Sequence, residues 1–390
     1  VTQDAPARVG INAIFLLPGM GGLETYVQEL VPELVRAAPQ TRFTVYCSPA
    51  GERHLRASAW ASEVRLRSHP LFGTSGLKAA CEMTVLGALA SEREDLLHSV
   101  ALTAPLRTRA ANVITIADTT WFEGPRADTT TLLWRVIVPP IARRADRLIA
   151  ISQAGRRDIV DHLRIPVDRI DLTLLGHRPP ASIAALPASE VRGRFGLGDA
   201  PFVLMVGTRK PHKNVDGLLR GFAQLAQSDR SVQLVLAGNP TAIEPELLRL
   251  SDELGLRKRV HFLGFVDDAE REGLYAAAEL FVLPSHNEGF GLTVLEALGR
   301  GIPVACSSAS ALPEVGGAAA RYFDPARPPE IAAALRELLG DEGLRKRLRT
   351  EGPARAAELS WAATAQATLD SYARAVDSAR ARRRHAGRDL

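Results

Sequence analysis

"PSHNEGFGLTVLEALGRGIPV", residues 284–304, lies between two short apolar runs, "LFVLPS" and "IPVACS". Both runs read as buried strands, and Ser285 to Gly291 is the turn at the carboxyl end of the first. From about Leu292 to Arg300 the pattern is helical, with Gly301 and Pro303 as its stop. A strand, a turn, a helix and a second strand in this compass make one unit of a parallel sheet. The start of such a helix offers unpaired N–H groups and a partial positive charge, which favour phosphate. Gly289 and Gly291 let a ligand come close to that backbone. Glu288 lies outside the helix and Glu296 near its second turn, so the two carboxylates are not one adjacent acid–base pair. Each can instead hold a separate part of an extended ligand, since a carboxylate accepts from two neighbouring hydroxyls. The plainer reading makes Glu288 a helix cap and Glu296 a surface acid.

The same alternation runs outward in both directions. "RVGINAIFLL", "RFTVYC", "DLLHSV", "NVITIAD", "RLIAIS" and "DRIDLTLLG" are strands of a first half, with helical stretches such as "LETYVQELVPELVRAA" between most of them. "PFVLMVG", "SVQLVLAG", "RVHFLGF", "LFVLPS", "IPVACS" and "RYFDP" are strands of a second. Each half reads as a doubly wound Rossmann-like α/β domain, and the cleft between two such domains is the natural ligand site. The expected boundaries are a first domain at 1–176, a proline-bearing linker at 177–199, a second domain at 200–359 and a basic tail at 377–390. A helix at 360–376 can cross back onto the first domain.

The bulk figures agree with a soluble two-domain protein: 390 residues, 46% hydrophobic, 24% charged and a net charge of +4. Richness in alanine and arginine fits a high-GC bacterial source. The apolar run from Val9 to Leu17 is too short for a secretory signal, and no stretch is long and apolar enough to span a bilayer. Cys47, Cys81 and Cys306 are scattered without ligand spacing and read as reduced thiols of a cytoplasmic protein. The histidines are dispersed, so no metal site and no cofactor is expected. Much of the positive charge sits in "RAVDSARARRRHAGRDL", read as a solvated, frayed end rather than a contact with acidic lipid or nucleic acid.

Two further loops carry chemistry. "VGTRKPHKN" follows the first strand of the second half and gathers Arg209, Lys210, His212 and Lys213 before a helix, a pattern suited to a diphosphate. "LPGMGGLETYV" follows the first strand of all. It places Gly19, Gly21 and Gly22 before a helix, but its spacing fails the dinucleotide fingerprint.

Taken together, "HNEGFGLTVLEALGRGIPVACSSASALPEVGG", "VGTRKPHKN" and "PGMGGLETYV" resemble the motifs of glycosyltransferase family 4 in the right order, and the likeness runs to about residue 375. The resemblance implies the GT-B fold, two Rossmann-like domains facing across a cleft, and retaining transfer of a hexose from a nucleotide diphosphate sugar. It implies that Glu288 holds hydroxyls of the donor sugar and Glu296 the ribose. The backbone of Phe290, Gly291 and Leu292 would meet the sugar and phosphates, and Lys213 the diphosphate. Many members have an arginine where this chain has Thr208, with Arg209 one place on. Gly22 would border the phosphate from the other domain, and backbone from Leu263 to Val266 would lie near the base. Where the family often has His-Asp, this chain reads "VITIADTTW": Asp118 matches, as the candidate acceptor contact, and Ala117 replaces the histidine.

The expected partners are a nucleotide sugar (GDP-mannose, a UDP-hexose or a dTDP-sugar) and a glycan, lipid-linked or natural-product acceptor. A catalytically weak nucleotide-sugar-binding homologue and a GT-B sugar epimerase are the alternatives. The segment "LFGTSGLKAACEMTVLGALASERE", residues 71–94, reads either as a surface for peripheral membrane docking or as an ordinary buried helix.

Overall fold

The computed structural model describes residues 6–17, 19–73, 78–123, 129–179, 184–229 and 231–386. Pro18 of the glycine turn, residues 74–77 of the segment weighed for membrane docking and 387–390 of the basic end lie outside the described residues. The chain divides into two compact units, Val1–Gly176 with Trp361–Leu390, and His177–Ser360.

The first unit is built on seven parallel strands: β1 (Arg8–Ala13), β2 (Arg42–Cys47), β3 (Arg65–Ser68), β4 (Leu96–Ser99), β5 (Ala111–Ile116), β6 (Arg147–Ala150) and β7 (Ile170–Leu172). Their order is β3-β2-β1-β4-β5-β6-β7. β4 and β5 are buried from end to end, as strands covered on both faces must be. β1 stops at Ala13, because Leu16 N–H turns back to the Ala13 carbonyl at 3.0 Å. The helix Trp361–Ala386 lies on the helix Gly22–Ala37 and on β4, β5 and β6. Beneath it, Tyr372 Oη is 2.8 Å from His98 Nδ1, His98 Nε2 is 2.8 Å from Thr115 Oγ1, and Tyr26 Oη meets the same threonine at 3.1 Å. The arginine-rich end, expected to fray, is helical through Ala386. Arg374 pairs with Asp171 at 3.0 Å and Arg382 with Asp146 at 2.9 Å, long-range partners that local sequence does not reveal.

The second unit holds β8 (Phe202–Val206), β9 (Gln233–Ala237), β10 (Val260–Phe262), β11 (Leu280–Leu283), β12 (Val304–Ser307) and β13 (Ala320–Phe323). All are parallel, in the order β10-β9-β8-β11-β12-β13. Each grows from one of the stretches read as strands, and β8, β11 and β12 are fully buried. The proline-bearing stretch 177–199 carries the helix Ala188–Arg194, which packs on the helix Asp268–Ala277. Val191 is buried there, so close to Gly273 that a Cβ on that glycine would stand 2.4 Å from its Cγ2. Strand order reverses between β8 and β11, and open α/β sheets bind ligands beyond the carboxyl ends of the strands at such a point.

The segment weighed for membrane docking turns most of its large apolar side chains inward, although Leu71 at its start is 40% exposed. Phe72, Cys81, Leu86 and Ala90 pack with Ile14, Tyr46 and Leu97. In its middle, Glu82 opens a π-helical turn, Glu82–Leu86, and is fully buried. Thr103 Oγ1 donates to its Oε2 at 2.6 Å, and Asn12 Nδ2 donates to its Oε1. Burial raises the Glu82 carboxyl to about 7. A raised folded-state value means that stability is greatest below the ordinary carboxylate range and declines as pH rises toward 7. Burial holds His98 down at about 3, so its contribution runs the other way, falling as pH drops below the usual imidazole range. Among the described residues, no helix is long and apolar enough to cross a membrane. Glu82→Gln keeps the shape and one of the two accepting oxygens, and the Thr103 hydroxyl is free to turn and accept from the new amide. Urea denaturation should therefore show it more stable than the parent by up to about 3 kcal/mol at pH 8. The gain should vanish at pH 4, and an offset independent of pH would show that Glu82 is not a buried titrating acid.

Candidate active site

β8 and β9 end on a pair of glycines whose backbones touch. Gly207 (φ 148) donates to the Ala237 carbonyl at 2.9 Å, and a Cβ on Gly238 would lie 2.3 Å from the Gly207 oxygen. The loop from Thr208 then folds on itself, with Lys210 N–H on the Thr208 carbonyl and Lys213 N–H on the Lys210 carbonyl, each at 2.9 Å. Asn214 closes it in the left-handed conformation (φ 55). Its buried amide donates to the carbonyls of Pro284 at 3.0 Å and Pro325 at 2.7 Å, which fixes the loop against the end of β11.

The turn after β11 comes to meet it. Lys213 Nζ donates to Glu288 Oε1 at 2.5 Å, and Ser285 Oγ donates to the same oxygen at 2.6 Å. Ser310 Oγ holds the Glu288 carbonyl at 2.8 Å from the other side. The lysine and glutamate side chains are 18% and 11% exposed, so the pair is shielded but reachable. Among the described residues nothing donates to Glu288 Oε2, which is left to accept from a ligand. Gly291 (φ 108) opens the helix Leu292–Gly299 with no side-chain cap, so the first amides of that helix are unspent. A Cβ on Gly291 would meet Leu312 Cδ2 at 2.5 Å. Phe290 is buried beside it, and Leu292 is half-buried.

Glu296 stands in a second cluster. Tyr275 Oη donates to its Oε2 at 2.9 Å, and burial, reinforced by Glu296, pushes the phenol well above its usual range, so it remains a donor. Arg300 lies over the Tyr275 ring at 4.8 Å, donates to the Glu296 carbonyl at 2.7 Å and grips Glu272 with two nitrogens. The carboxylate of Glu296 is thereby aimed by a buried phenol, while the residue itself remains half-buried.

Arg209 is placed differently from the expectation that it faces leaving charge. Its side chain is 2% exposed and forks onto Glu244, with Nη2 2.8 Å from Oε1 and Nε on Oε2. Nη1 donates to the Leu236 carbonyl at 3.3 Å, and the guanidinium lies 5.9 Å from the Phe262 ring centre. Thr241 Oγ1 caps the Arg209 carbonyl at 2.6 Å. The arginine thus braces the loop from within, and Thr208 is half-buried at its root. Leu263 and Val266 are buried, whereas Gly264 and Phe265 between them are exposed. Gly264 offers its carbonyl to Gly238 N–H at 3.1 Å.

In the first unit, Gly19 (φ 78) and Gly21 (φ 64) turn the chain into the helix that begins at Gly22, with open space where side chains would be. Glu24 tethers this turn by accepting from Gly19 N–H at 2.8 Å, and it pairs with His54 at 2.6 Å. Asp118 Oδ1 accepts from Thr120 N–H at 3.1 Å and from Thr120 Oγ1 at 2.7 Å, so one of its oxygens caps the short helix Thr120–Glu123. Sequence reasoning missed Ser285, Ser310, Asn214, Tyr275 and Glu244. Ser285 alone had a local signal, since it lies three residues before Glu288.

Comparison with known proteins bears on this geometry. The model for glycosyl transferases group 1 matches residues 189–355, and the model for glycosyltransferase family 4 matches residues 20–174. Among curated relatives, O-antigen chain mannosyltransferase B of Escherichia coli is 33% identical over 233 residues, covering 58% of this chain and 60% of that protein. A D-inositol 3-phosphate glycosyltransferase of Nocardia farcinica is 33% identical over 256 residues, covering 60% of this chain and 54% of that one. In each case the chain spans less than two thirds of the relative's own length. Among solved structures, sucrose-phosphate synthase from Thermosynechococcus elongatus aligns with a TM-score of 0.72 at 20% identity, covering 92% of this chain and 96% of that one. Anabaena HepE, solved with UDP and glucose, aligns at 0.73 and 22% identity, covering 91% of this chain and 95% of its own. At such identities the likeness concerns the fold, and that fold is GT-B. The two models between them take in most of the chain, and the chain belongs to glycosyltransferase family 4.

Proposed function

We propose that the protein is a retaining glycosyltransferase that moves a hexose from a nucleotide diphosphate sugar to a hydroxyl of a glycan, lipid-linked or small-molecule acceptor. One observation carries this reading: Lys213, Glu288 and Ser285 converge beside the uncapped helix start at Gly291. A ligand bearing both hydroxyls and phosphates answers that set, because its hydroxyls can donate to Glu288 while its phosphates take Lys213 and the bare amides. Glu296, aimed by Tyr275, suits a further pair of hydroxyls such as those of a ribose. Backbone near Leu263 and Val266 is assigned to the base. Asp118 and the turn at Gly21 and Gly22 are assigned to the acceptor and the donor phosphate respectively.

In the proposed reaction the acceptor hydroxyl attacks the anomeric carbon from the face that the diphosphate leaves. The carbon–oxygen bond to phosphate breaks, the bond to the acceptor oxygen forms, and a departing phosphate oxygen takes the acceptor's proton. The protein aligns the reactants and offsets charge on the leaving group through Lys213 and the helix start. Arg209 serves this step indirectly, as the strut that holds the Thr208–Lys213 loop. Relatives named as mannosyltransferases put GDP-mannose first among donors to try, ahead of UDP-hexoses and dTDP-sugars. The three free, buried cysteines support a reducing, cytoplasmic setting.

A panel of nucleotide sugars tested by thermal shift should show one donor raising the melting point, with transfer to an acceptor preserving the anomeric configuration by NMR. A shift without turnover would instead mark a binding homologue, and interconversion of the sugar without acceptor an epimerase. Glu288→Gln and Lys213→Met should each cut transfer by about 10²-fold or more while leaving the urea midpoint in place. Full activity in both would overturn the site. Arg209→Met should lower stability by about 3 kcal/mol because it strands Glu244, and Glu244→Leu in the same chain should restore much of it. An unchanged midpoint with lost turnover would place Arg209 on the donor after all.

A further inference from the structure

The helix Thr129–Arg144 in the first unit has a face that its own core does not use. Val138, Ile141 and Ala142 are buried in a cluster with Ile114, Ile116 and Leu148, and Trp134 and Ile137 pack partly against it. On the opposite side Leu132, Leu133 and Val136 stand 52%, 51% and 66% exposed. These are the largest apolar exposures grouped on any one described helix. At helical spacing Leu132, Val136, Pro140 and Arg143 fall in one line, with Leu133 and Arg144 beside it. The outward face is therefore apolar from Leu132 to Val136 and cationic over its last turn, with Leu132 and Arg143 about 16 Å apart along the axis.

The charge is not spent inside the protein. Arg143 Nη2 donates to the Leu163 carbonyl at 3.1 Å and Arg144 Nη1 to the Pro140 carbonyl at 3.2 Å, and no carboxylate pairs with either among the described residues. The helix, "TTTLLWRVIVPPIARR", contains arginines and no acid at all. A second copy laid antiparallel on this face would bury the leucines but leave the arginines of each helix beyond the contact, with no acid on either helix to meet them. An anionic bilayer surface answers both halves of the face, since acyl chains take Leu132, Leu133 and Val136 while headgroup phosphates take Arg143 and Arg144.

We propose that the outward face of the helix Thr129–Arg144 docks on an anionic lipid surface. The residues concerned are separate from every group assigned above to donor or acceptor, so this docking stands or falls independently of the transfer reaction. It differs from the segment 71–94, where Phe72, Cys81, Leu86 and Ala90 pack into the core and Leu71 is the large apolar residue left exposed among the described residues.

The test is flotation of the intact protein with vesicles of phosphatidylcholine alone or mixed with phosphatidylglycerol. Binding should require phosphatidylglycerol and weaken with added salt. Arg143→Gln with Arg144→Gln should lower affinity for the mixed vesicles about thirtyfold, and Leu132→Ser with Val136→Ser about tenfold. Melting temperature and elution volume should stay at parental values in both. Equal binding to both vesicle types, no binding at all, or binding untouched by either double substitution would overturn the proposal. So would a change of elution volume in the serine variant without loss of vesicle binding, because the face would then join copies of the chain.

Discussion

A parallel sheet obliges the chain to leave every strand at the same end, so loops from distant parts of the sequence accumulate on one rim. In the second unit this constraint, together with the reversal of order between β8 and β11, sets Lys213 opposite Glu288, 75 residues further on. Neither side chain could hold that position alone. Asn214 fastens the lysine's loop to the carbonyls of Pro284 and Pro325, and Ser310 fastens the glutamate's turn. The two charges neutralise each other at a site only partly screened from water, where a ligand with hydroxyls and phosphates can replace each as the other's partner. Little has to reorganise, because the supports beneath both residues are hydrogen bonds from the Asn214 and Ser310 side chains to backbone carbonyls.

Cations of the same loop meet different fates according to the acids within reach. Lys213 stays at the rim. Arg209, four residues earlier, finds Glu244 at the start of the helix Glu244–Glu253 and is drawn wholly inside. Arg300 and Glu272 repeat that arrangement beneath Glu296, at 7% and 4% exposure. Such buried pairs add little net stability over apolar substitutes, yet losing one partner is costly, so they act as fixed struts around the polar rim.

What could be read from the chain follows the range of the interactions. The strand–turn–helix at residues 284–304 was legible because its signals are local: an apolar run, glycines at the turn, and Gly301 with Pro303 at the stop. All six strands of the second unit share that property. β3 did not, since "RLRS" places arginines on an edge strand that is ordered by its neighbour rather than by an apolar run of its own. Glu82 looked like any polar position of a helix, and its burial depends on Asn12 and Thr103, which are remote in sequence. The burial of Arg209 was not legible for the same reason, because a loop cation is ordinarily solvated and its acid lies 35 residues away.

The helix Trp361–Ala386 closes a unit whose other residues end at Gly176, with the whole of the second unit threaded between. During synthesis, then, Tyr26 and His98 emerge from the ribosome long before Trp361 and Tyr372, whose rings meet them. The nascent amino-terminal half must wait with an uncovered groove while the middle of the chain folds ahead of it. Order of birth and order of completion are thus reversed, and the half made first is the last to be finished.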